Sequence, residues 1–372
     1  MRLSRTEQIL LELLKGALSG KLSESAFRLP LTDEEWNAVR SLAIKQGVYS
    51  IAFDGVGLLP PELQPSKKIF LSWAANVTIQ EERYKYKCQK VKELKEFFEQ
   101  HNLKMMLLKG VGLASFYPIP SHREWGDIDI WLFGHKEEGD RLAKEELGAN
   151  LTEGGMQSGF YFYEMPVENH SHFADINSIN NVIEQLYTDF KSIEEKIKPM
   201  AETSNSIFVL NVGTELFVPT PTFNFFFLFC HMARHFINKL DIRHLSDWAC
   251  FLKENRDKYD KELVCKTFEE LHLALSVEVF TRLAIRLFDL PESCDPQIKL
   301  RYYDKHLEDK VLEYIFRPSL SIPRPQSRFL RVFWRAAYFF HDYWLNKMLF
   351  NQNAFQQISY YFHRNKFKHI FS

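Results

Sequence analysis

One stretch, Leu107 to Leu132, constrains the fold of this chain more than any other; it reads LLKGVGLASFYPIPSHREWGDIDIWL. Two short strand-like runs, Met105–Leu108 and Ile128–Leu132, flank a turn and a short helix. Alternate side chains of a strand point to the same face. The pattern therefore predicts that Asp127 and Asp129 stand side by side on one face of a strand.

Two carboxylates this close repel each other when both are ionised. The commonest reason for such a pair is a divalent cation held between them, and Mg²⁺ favours carboxylate and phosphate oxygens as ligands. We therefore expect a metal site at Asp127 and Asp129. Replacing either residue with Asn is expected to cost little stability, because it relieves the repulsion.

The same stretch resembles the nucleotidyltransferase superfamily that includes DNA polymerase beta, and within it a bacterial branch of uncharacterised nucleotidyltransferases. The shared motifs are Leu-Lys-Gly at Leu108–Gly110, Tyr-Pro-x-Pro-x-x-Arg at Tyr117–Arg123, and Asp-Ile-Asp at Asp127–Asp129. The resemblance implies an α+β fold, in which helical N-terminal and C-terminal regions flank a small mixed nucleotidyltransferase sheet. One departure is Val111, where the wider superfamily usually has a second Gly or a Ser.

The reaction implied by this resemblance moves a nucleoside monophosphate from an NTP, with ATP the expected donor, to an unidentified acceptor and releases pyrophosphate. Asp127, Asp129 and Glu168 would be the catalytic carboxylates and would hold two Mg²⁺ ions roughly 3.5–4 Å apart. Glu168 and His170 match an acid-x-His motif of the branch, and Asp175 is the alternative third carboxylate.

Three residues near the Gly turn are expected to bind the nucleotide. Gly110 would let the backbone approach the triphosphate, while Lys109 and Arg123 would neutralise its charge. The alternative for Arg123 is a surface ion pair, which would contribute little to stability.

The apolar segment Phe223–Ile237 is predicted to be a helix that carries His231 and His235 on one face, because they are four residues apart. A zinc motif of the H-E-x-x-H type would need Glu where this chain has Met232. Packed core histidines are the other interpretation. In the related branch, a His-x-x-x-His helix precedes an Asp-x-Ala segment, here Asp247, and the resemblance implies that this region closes over the nucleotide.

Two smaller predictions concern neighbouring residues. Arg243 and Asp247 are four residues apart on a predicted helix and are expected to form an ion pair. A three-histidine metal site that uses His170, His172 and another histidine is an open alternative, although the spacing is not that of known ligand motifs.

Four regions are predicted along the chain: a helical N-terminal region (1–100), the catalytic core (101–220), a helical domain (221–320) and a basic aromatic C-terminal segment (321–372). In the first region, Thr32 and Glu35 form a capping-box pattern.

The C-terminal segment is basic and aromatic. From residue 324 onward, eight Lys or Arg stand against one acid, which gives +7 and leaves −8 for the remainder of the −1 chain. We expect it to dock on the protein through its aromatic face and to touch anionic membranes only weakly. The acidic remainder argues against an extended nucleic-acid interface.

Five scattered cysteines indicate buried thiols in a reducing compartment, so the expected location is the cytoplasm. Two other classes of function stay open. The first is a catalytically inactive nucleotide-binding or scaffold protein with the same fold, which the Val111 departure favours. The second is a metal hydrolase that uses the histidines.

Overall fold

The structure is a computed structural model. It describes residues 3–22, 30–153, 157–173, 184–204, 206–210, 212–238, 240–298, 300, 303–317, 325, 327, 330, 333, 344–345 and 347–350. Asp175, the alternative third carboxylate, and most of the C-terminal segment lie outside these residues.

Helices form the N-terminal part of the chain, and local sequence signals explain where the first two begin. Ser4 and Glu7 form a capping box at the start of the first helix, and the predicted Thr32–Glu35 box is present at the start of the second. The helices are α1 (Arg5–Ser19), α2 (Asp33–Lys45), α3 (Tyr49–Gly57) and α4 (Lys67–Gln100).

A mixed sheet follows, with strand order β3-β4-β5-β2-β1-β7-β6 among the described residues. The pairs β2–β5 and β1–β7 are parallel and the other pairs are antiparallel. The strands are β1 (Met106–Leu107), β2 (Ile128–Trp131), β3 (Thr152–Glu153), β4 (Gln157–Phe162), β5 (Met165–His170), β6 (Ile207–Leu210) and β7 (Thr214–Phe217).

The remaining helices alternate with the strands along the chain or follow the last strand. They are α5 (Val111–Ala114), α6 (Lys136–Glu146), α7 (Glu184–Glu202), α8 (Pro221–Asn238), α9 (Ile242–Asn255), α10 (Lys261–Glu270), α11 (Ala274–Phe288) and α12 (His306–Phe316). The predicted α+β fold, with helical regions on both sides of a mixed sheet, is confirmed.

Two apolar clusters make up the core. One joins the N-terminal helices to the aromatic residues of α8, α9 and α11, so that the two ends of the described chain share a core. The other lies between α4, α6 and the sheet. An ion pair between Glu7 and Arg317 (2.6 Å) also joins the two ends. The predicted domain limits stay a prediction.

Among the described residues, no helix has both the length and the apolar character needed to cross a bilayer.

Candidate active site

The pairing of β2 with β5 builds the centre of the candidate site. These strands run parallel, and their register places Asp129 directly beside Glu168, with Ile128 beside Val167. Both Ile128 and Val167 are buried, and a slip of one residue would turn them to the opposite face. Packing of the apolar residues therefore fixes the two carboxylates as neighbours.

Asp129 is fully buried, and its carboxylate has two partners, a lysine and a histidine. Lys109 Nζ lies 2.7 Å from Asp129 Oδ1, and His170 Nε2 lies 3.0 Å from the same oxygen. Burial by itself would raise the pKa of Asp129, but the charge of Lys109 and the contact with His170 outweigh it and hold that pKa well below its usual range. Asp129 is therefore held as a carboxylate.

Glu168 differs from Asp129 in exposure and in the direction of its pKa shift. Its side chain is 29% exposed, and His170 Nε2 lies 3.7 Å from Glu168 Oε2. Burial raises the pKa of Glu168, and the negative charge of Asp129 raises it further. Two neighbouring carboxylates with opposite pKa shifts suit different roles, one as a fixed ligand and the other as a proton acceptor.

The two carboxylates of the site offer the oxygen ligands that a hard divalent cation prefers. The side-chain ligand atoms of Asp129, Glu168 and His170 lie within 4.8 Å of one another. Asp129 Oδ2 is buried and has no hydrogen-bond partner among the described residues. A buried oxygen without a partner is costly, and a bound cation would remove that cost.

Asp127 lies at the edge of the carboxylate site. It precedes β2 and is half-buried, and it is not among the ligand atoms that lie within 4.8 Å of one another. Its charge nevertheless contributes to raising the pKa of Glu168, so it faces the same region. Its predicted role as a metal ligand stays a prediction.

Gly110 forms the turn between β1 and α5, where the backbone has φ 62°. A Cβ at this position would lie 3.3 Å from the Trp125 ring. Both the positive φ and this close approach favour glycine. The turn places Lys109 beside Asp129, because the Leu108 amide donates to the Asp129 carbonyl oxygen at 2.9 Å.

Arg123 is buried rather than open to a phosphate. Its Nε and Nη2 donate to the two carboxylate oxygens of Asp247, at 2.6 and 2.9 Å, and its Nη1 donates to the Gly110 carbonyl oxygen at 3.2 Å. The Tyr117 hydroxyl also donates to Asp247 (2.6 Å). This network braces the Gly turn against α9. The predicted nucleotide contact of Arg123 stays a prediction, but the surface-pair alternative does not fit a buried bidentate pair.

The predicted Arg243–Asp247 ion pair was wrong. Asp247 is engaged by Arg123 and Tyr117, and Arg243 Nη1 instead donates to the Glu124 carbonyl oxygen at 3.2 Å. Helical spacing would allow Arg243 to reach Asp247. Arg123, from the Gly-turn segment, instead provides the closer and more desolvated contact with Asp247.

The histidines separate into two groups. His170 joins the carboxylates, whereas His172 lies beyond the end of β5 and its Nδ1 is 3.5 Å from Glu194 Oε1 on α7. A metal site built on both His170 and His172 is therefore not formed. His231 and His235 share one face of α8, as predicted, and they meet His244 of α9, which the sequence did not single out.

Sequence reasoning missed Tyr117 and His244. Tyr117 was named as part of the Tyr-Pro-x-Pro-x-x-Arg motif but was given no role, because its contact with Asp247 joins parts of the chain far apart in sequence. His244 lies six residues after the end of α8, so helical spacing could not link it to His231 and His235. The signal available in the sequence was the short connection between α8 and α9, which reverses the chain.

With this geometry established, the chain is assigned to a family of uncharacterised nucleotidyltransferases, whose model matches residues 32–289. The match covers more than half of the 372-residue chain, so the chain belongs to this family. It runs from the start of α2 to the end of α11 and includes the whole sheet. No curated protein and no solved structure matches the chain. Membership indicates nucleotidyl transfer as the general activity.

Proposed function

We propose that this protein transfers a nucleoside monophosphate from an NTP to an acceptor hydroxyl in a Mg²⁺-dependent reaction. The observation that carries the proposal is the register of β2 and β5, which sets Asp129 beside Glu168 in a family of nucleotidyltransferases. Two neighbouring carboxylates repel each other when both are ionised, and a bound cation would relieve that repulsion.

The reaction replaces one phosphorus–oxygen bond with another. The acceptor oxygen bonds to the α-phosphorus of the NTP, the bond to the β-phosphate oxygen breaks, and pyrophosphate leaves. The acceptor's proton goes to Glu168, whose raised pKa suits a base. Mg²⁺, when bound, supplies Lewis-acid stabilisation of the phosphate charge.

Other residues of the chain would bind the metal, meet the charge of the triphosphate and hold the Gly turn. Asp129 and Glu168, with Asp127 as the third carboxylate, would hold the metal. Lys109 sits at the edge of the carboxylate pair and is placed to meet the charge of the triphosphate. Arg123 would act by holding the Gly110 turn through its bond to the Gly110 carbonyl oxygen.

A second candidate is a nucleotide-binding protein of the same fold that does not catalyse transfer. One contact favours it: Lys109 already neutralises Asp129, so that the most buried carboxylate has a partner without any metal. Val111 at the turn, in place of the small residue typical of the superfamily, is consistent with this candidate.

The test is transfer of label from each α-³²P-NTP, with Mg²⁺ and cell extract as the source of acceptor. We expect wild-type protein to fix the label on an acceptor and Glu168→Gln to lose at least about a hundredfold of the rate. Glu215→Gln is the matched control, because Glu215 is an exposed carboxylate on β7 of the same sheet. Nucleotide binding without transfer would support the second candidate instead.

A further inference from the structure

Three histidines meet where the last turns of α8 face the first turn of α9. The ring centroids of His231 and His235 are 4.5 Å apart, those of His235 and His244 are 4.2 Å apart, and those of His231 and His244 are 5.8 Å apart. One ring nitrogen of each lies within 4.8 Å of the others. Three imidazoles that converge in this way are a familiar set of metal ligands.

His244 provides the observation that points to a ligand. Its side chain is 95% buried, and its Nε2 has no hydrogen-bond partner among the described residues. Leaving a buried polar nitrogen without a partner is costly. The other ring nitrogen, Nδ1, lies 3.3 Å from both the carbonyl oxygen and the backbone nitrogen of Asp241. In the tautomer with its proton on Nδ1, that nitrogen donates to the carbonyl oxygen and leaves Nε2 to bind a metal, which is how metal-binding histidines are usually oriented.

We propose that His231, His235 and His244 bind one divalent transition-metal ion, with Zn²⁺ the expected metal and a fourth position open to water or an anion. Zn²⁺ takes imidazole nitrogens at about 2.0–2.1 Å in tetrahedral geometry, which puts two ligand nitrogens roughly 3.3 Å apart. The most distant pair would have to approach by at most about 1.5 Å, which small rotations of the rings allow.

The surroundings favour neutral imidazole rings, which is the form that binds a metal. Burial lowers the pKa of His235 to about 4 and holds the pKa values of His231 and His244 well below their usual range. The rings are therefore neutral, as metal binding requires. The charge of Lys109 also acts on His231 and His235, so this site adjoins the carboxylate site, and cationic neighbours favour an anionic fourth ligand.

A metal ion bound by these histidines would act as a clamp that holds α8 against α9. Helix α9 carries Asp247, which holds Arg123 and through it the Gly110 turn. Metal binding at the histidines would therefore stabilise the helix that supports the candidate active site. This inference stands apart from the proposed transfer reaction, because it uses other ligands and another class of metal.

The experiment uses the full chain after treatment with a chelator, titrated with Co²⁺ and followed by visible absorption, with bound Zn²⁺ counted by elemental analysis. We expect the absorption of tetrahedral Co²⁺ and one Zn²⁺ per chain. His244→Gln and His235→Gln should each lose at least about a hundredfold in affinity, since even residues that only orient a ligand contribute ten- to hundredfold.

Two control variants test whether Co²⁺ binds at the three histidines and not elsewhere. His306→Gln removes an exposed histidine at the start of α12 and should bind Co²⁺ like the wild type. Glu168→Gln alters the carboxylate site and should also leave the Co²⁺ spectrum unchanged. Circular dichroism before the titration establishes that each variant is folded, and His235, which is half-buried, tolerates Gln better than His244 does.

Several outcomes would overturn the proposal. They are the absence of a tetrahedral Co²⁺ spectrum in the wild type, an unchanged spectrum in folded His235→Gln protein, and loss of the spectrum in Glu168→Gln but not in the histidine variants. The first two would leave the three rings as neutral core residues packed against one another. Zn²⁺ that raises the Tm of wild type but not of His235→Gln would support the clamp.

Discussion

At the scale of single residues, the ion pair between Lys109 and Asp129 changes what the sequence led us to expect. Repulsion between Asp127 and Asp129 predicted that removing either charge would cost little stability. In the structure Asp129 instead neutralises a buried cation at 2.7 Å. A buried pair that loses one member leaves an uncompensated charge. The cost of Asp129→Asn is therefore expected to be substantial.

The Lys109→Met variant tests this pair from its cationic side. We expect it to lower the free energy of unfolding by about 3–5 kcal/mol, because Asp129 would keep only His170 as a partner. Lys92→Met is the matched control, since Lys92 forms a surface pair with Glu96 at 3.9 Å and should cost less than about 1 kcal/mol. Urea unfolding measures both, and equal costs would contradict a buried pair.

Gly110 gives a second prediction at this scale. Gly110→Ala should lower the free energy of unfolding by about 1–3 kcal/mol, because the alanine would adopt a positive φ and its Cβ would press on Trp125. Gly126→Ala lies in the same segment, where a Cβ meets no atom within 4 Å, and should be nearly silent. Thermal melts of the pair measure the difference. A stable Gly110→Ala protein would show that the turn does not require glycine.

At the scale of elements, some of the structure follows from local sequence and some does not. The Thr32–Glu35 capping box was predictable, because it depends on residues close together in the chain. The contacts of Arg123 with Asp247 and of β2 with β5 join distant segments, and no spacing rule reveals them. Only the family resemblance pointed to Glu168 as a neighbour of the Asp-x-Asp strand.

The Arg123–Asp247 pair joins the Gly-turn segment to α9. Arg123→Lys should destabilise the fold, because lysine cannot replace the two parallel hydrogen bonds to Asp247. Asp247→Asn should cost about 3–5 kcal/mol, and the double variant should cost clearly less than the sum of the two. Urea unfolding of the wild type, the two single variants and the double variant measures the coupling free energy between Arg123 and Asp247. Additive costs, together with weaker nucleotide binding in Arg123→Lys, would restore the phosphate-contact role predicted from sequence.

His122 joins the turn before β2 to α3 and α4. Its Nδ1 lies 2.8 Å from Asp54 Oδ1, and its Nε2 lies 3.1 Å from Glu81 Oε1. Burial alone would lower the pKa of His122, but the contacts with Asp54 and then Glu81 outweigh it and raise that pKa above its usual value. Burial also raises the pKa of Asp54.

These shifts predict how stability depends on pH. The stabilisation from His122 is fully present below the unfolded pKa of about 6.5 and is lost as pH rises through the folded pKa. The raised pKa of Asp54 acts in the same direction at more acidic pH. The stabilisation of the wild type over His122→Gln should therefore shrink as pH rises from about 6 to 8, which thermal melts of the two proteins at each pH measure. A difference in Tm between wild type and His122→Gln that is constant over this range would contradict the assignment.

At the scale of the whole molecule, the helices of both ends pack together around one face of the nucleotidyltransferase sheet. The carboxylate site lies on the sheet, and α8 and α9 bring the histidine cluster and the support for the Gly turn to the same region. The sequence predicted the α+β arrangement through its resemblance to a family. It did not predict the shared core, because the contacts between α1 and α11 join the two ends of the chain.

The measurement that tests the central claim most directly is calorimetric titration of the protein with a non-hydrolysable NTP analogue, with and without Mg²⁺, since it does not require the acceptor to be known. We expect Mg²⁺ to strengthen binding to the wild type and to the Glu215→Gln control. In Glu168→Gln, the effect of Mg²⁺ should fall by at least about tenfold, a loss of roughly 1.4 kcal/mol. A Mg²⁺ effect that is the same in Glu168→Gln as in the control would contradict a metal–nucleotide site at Asp129 and Glu168.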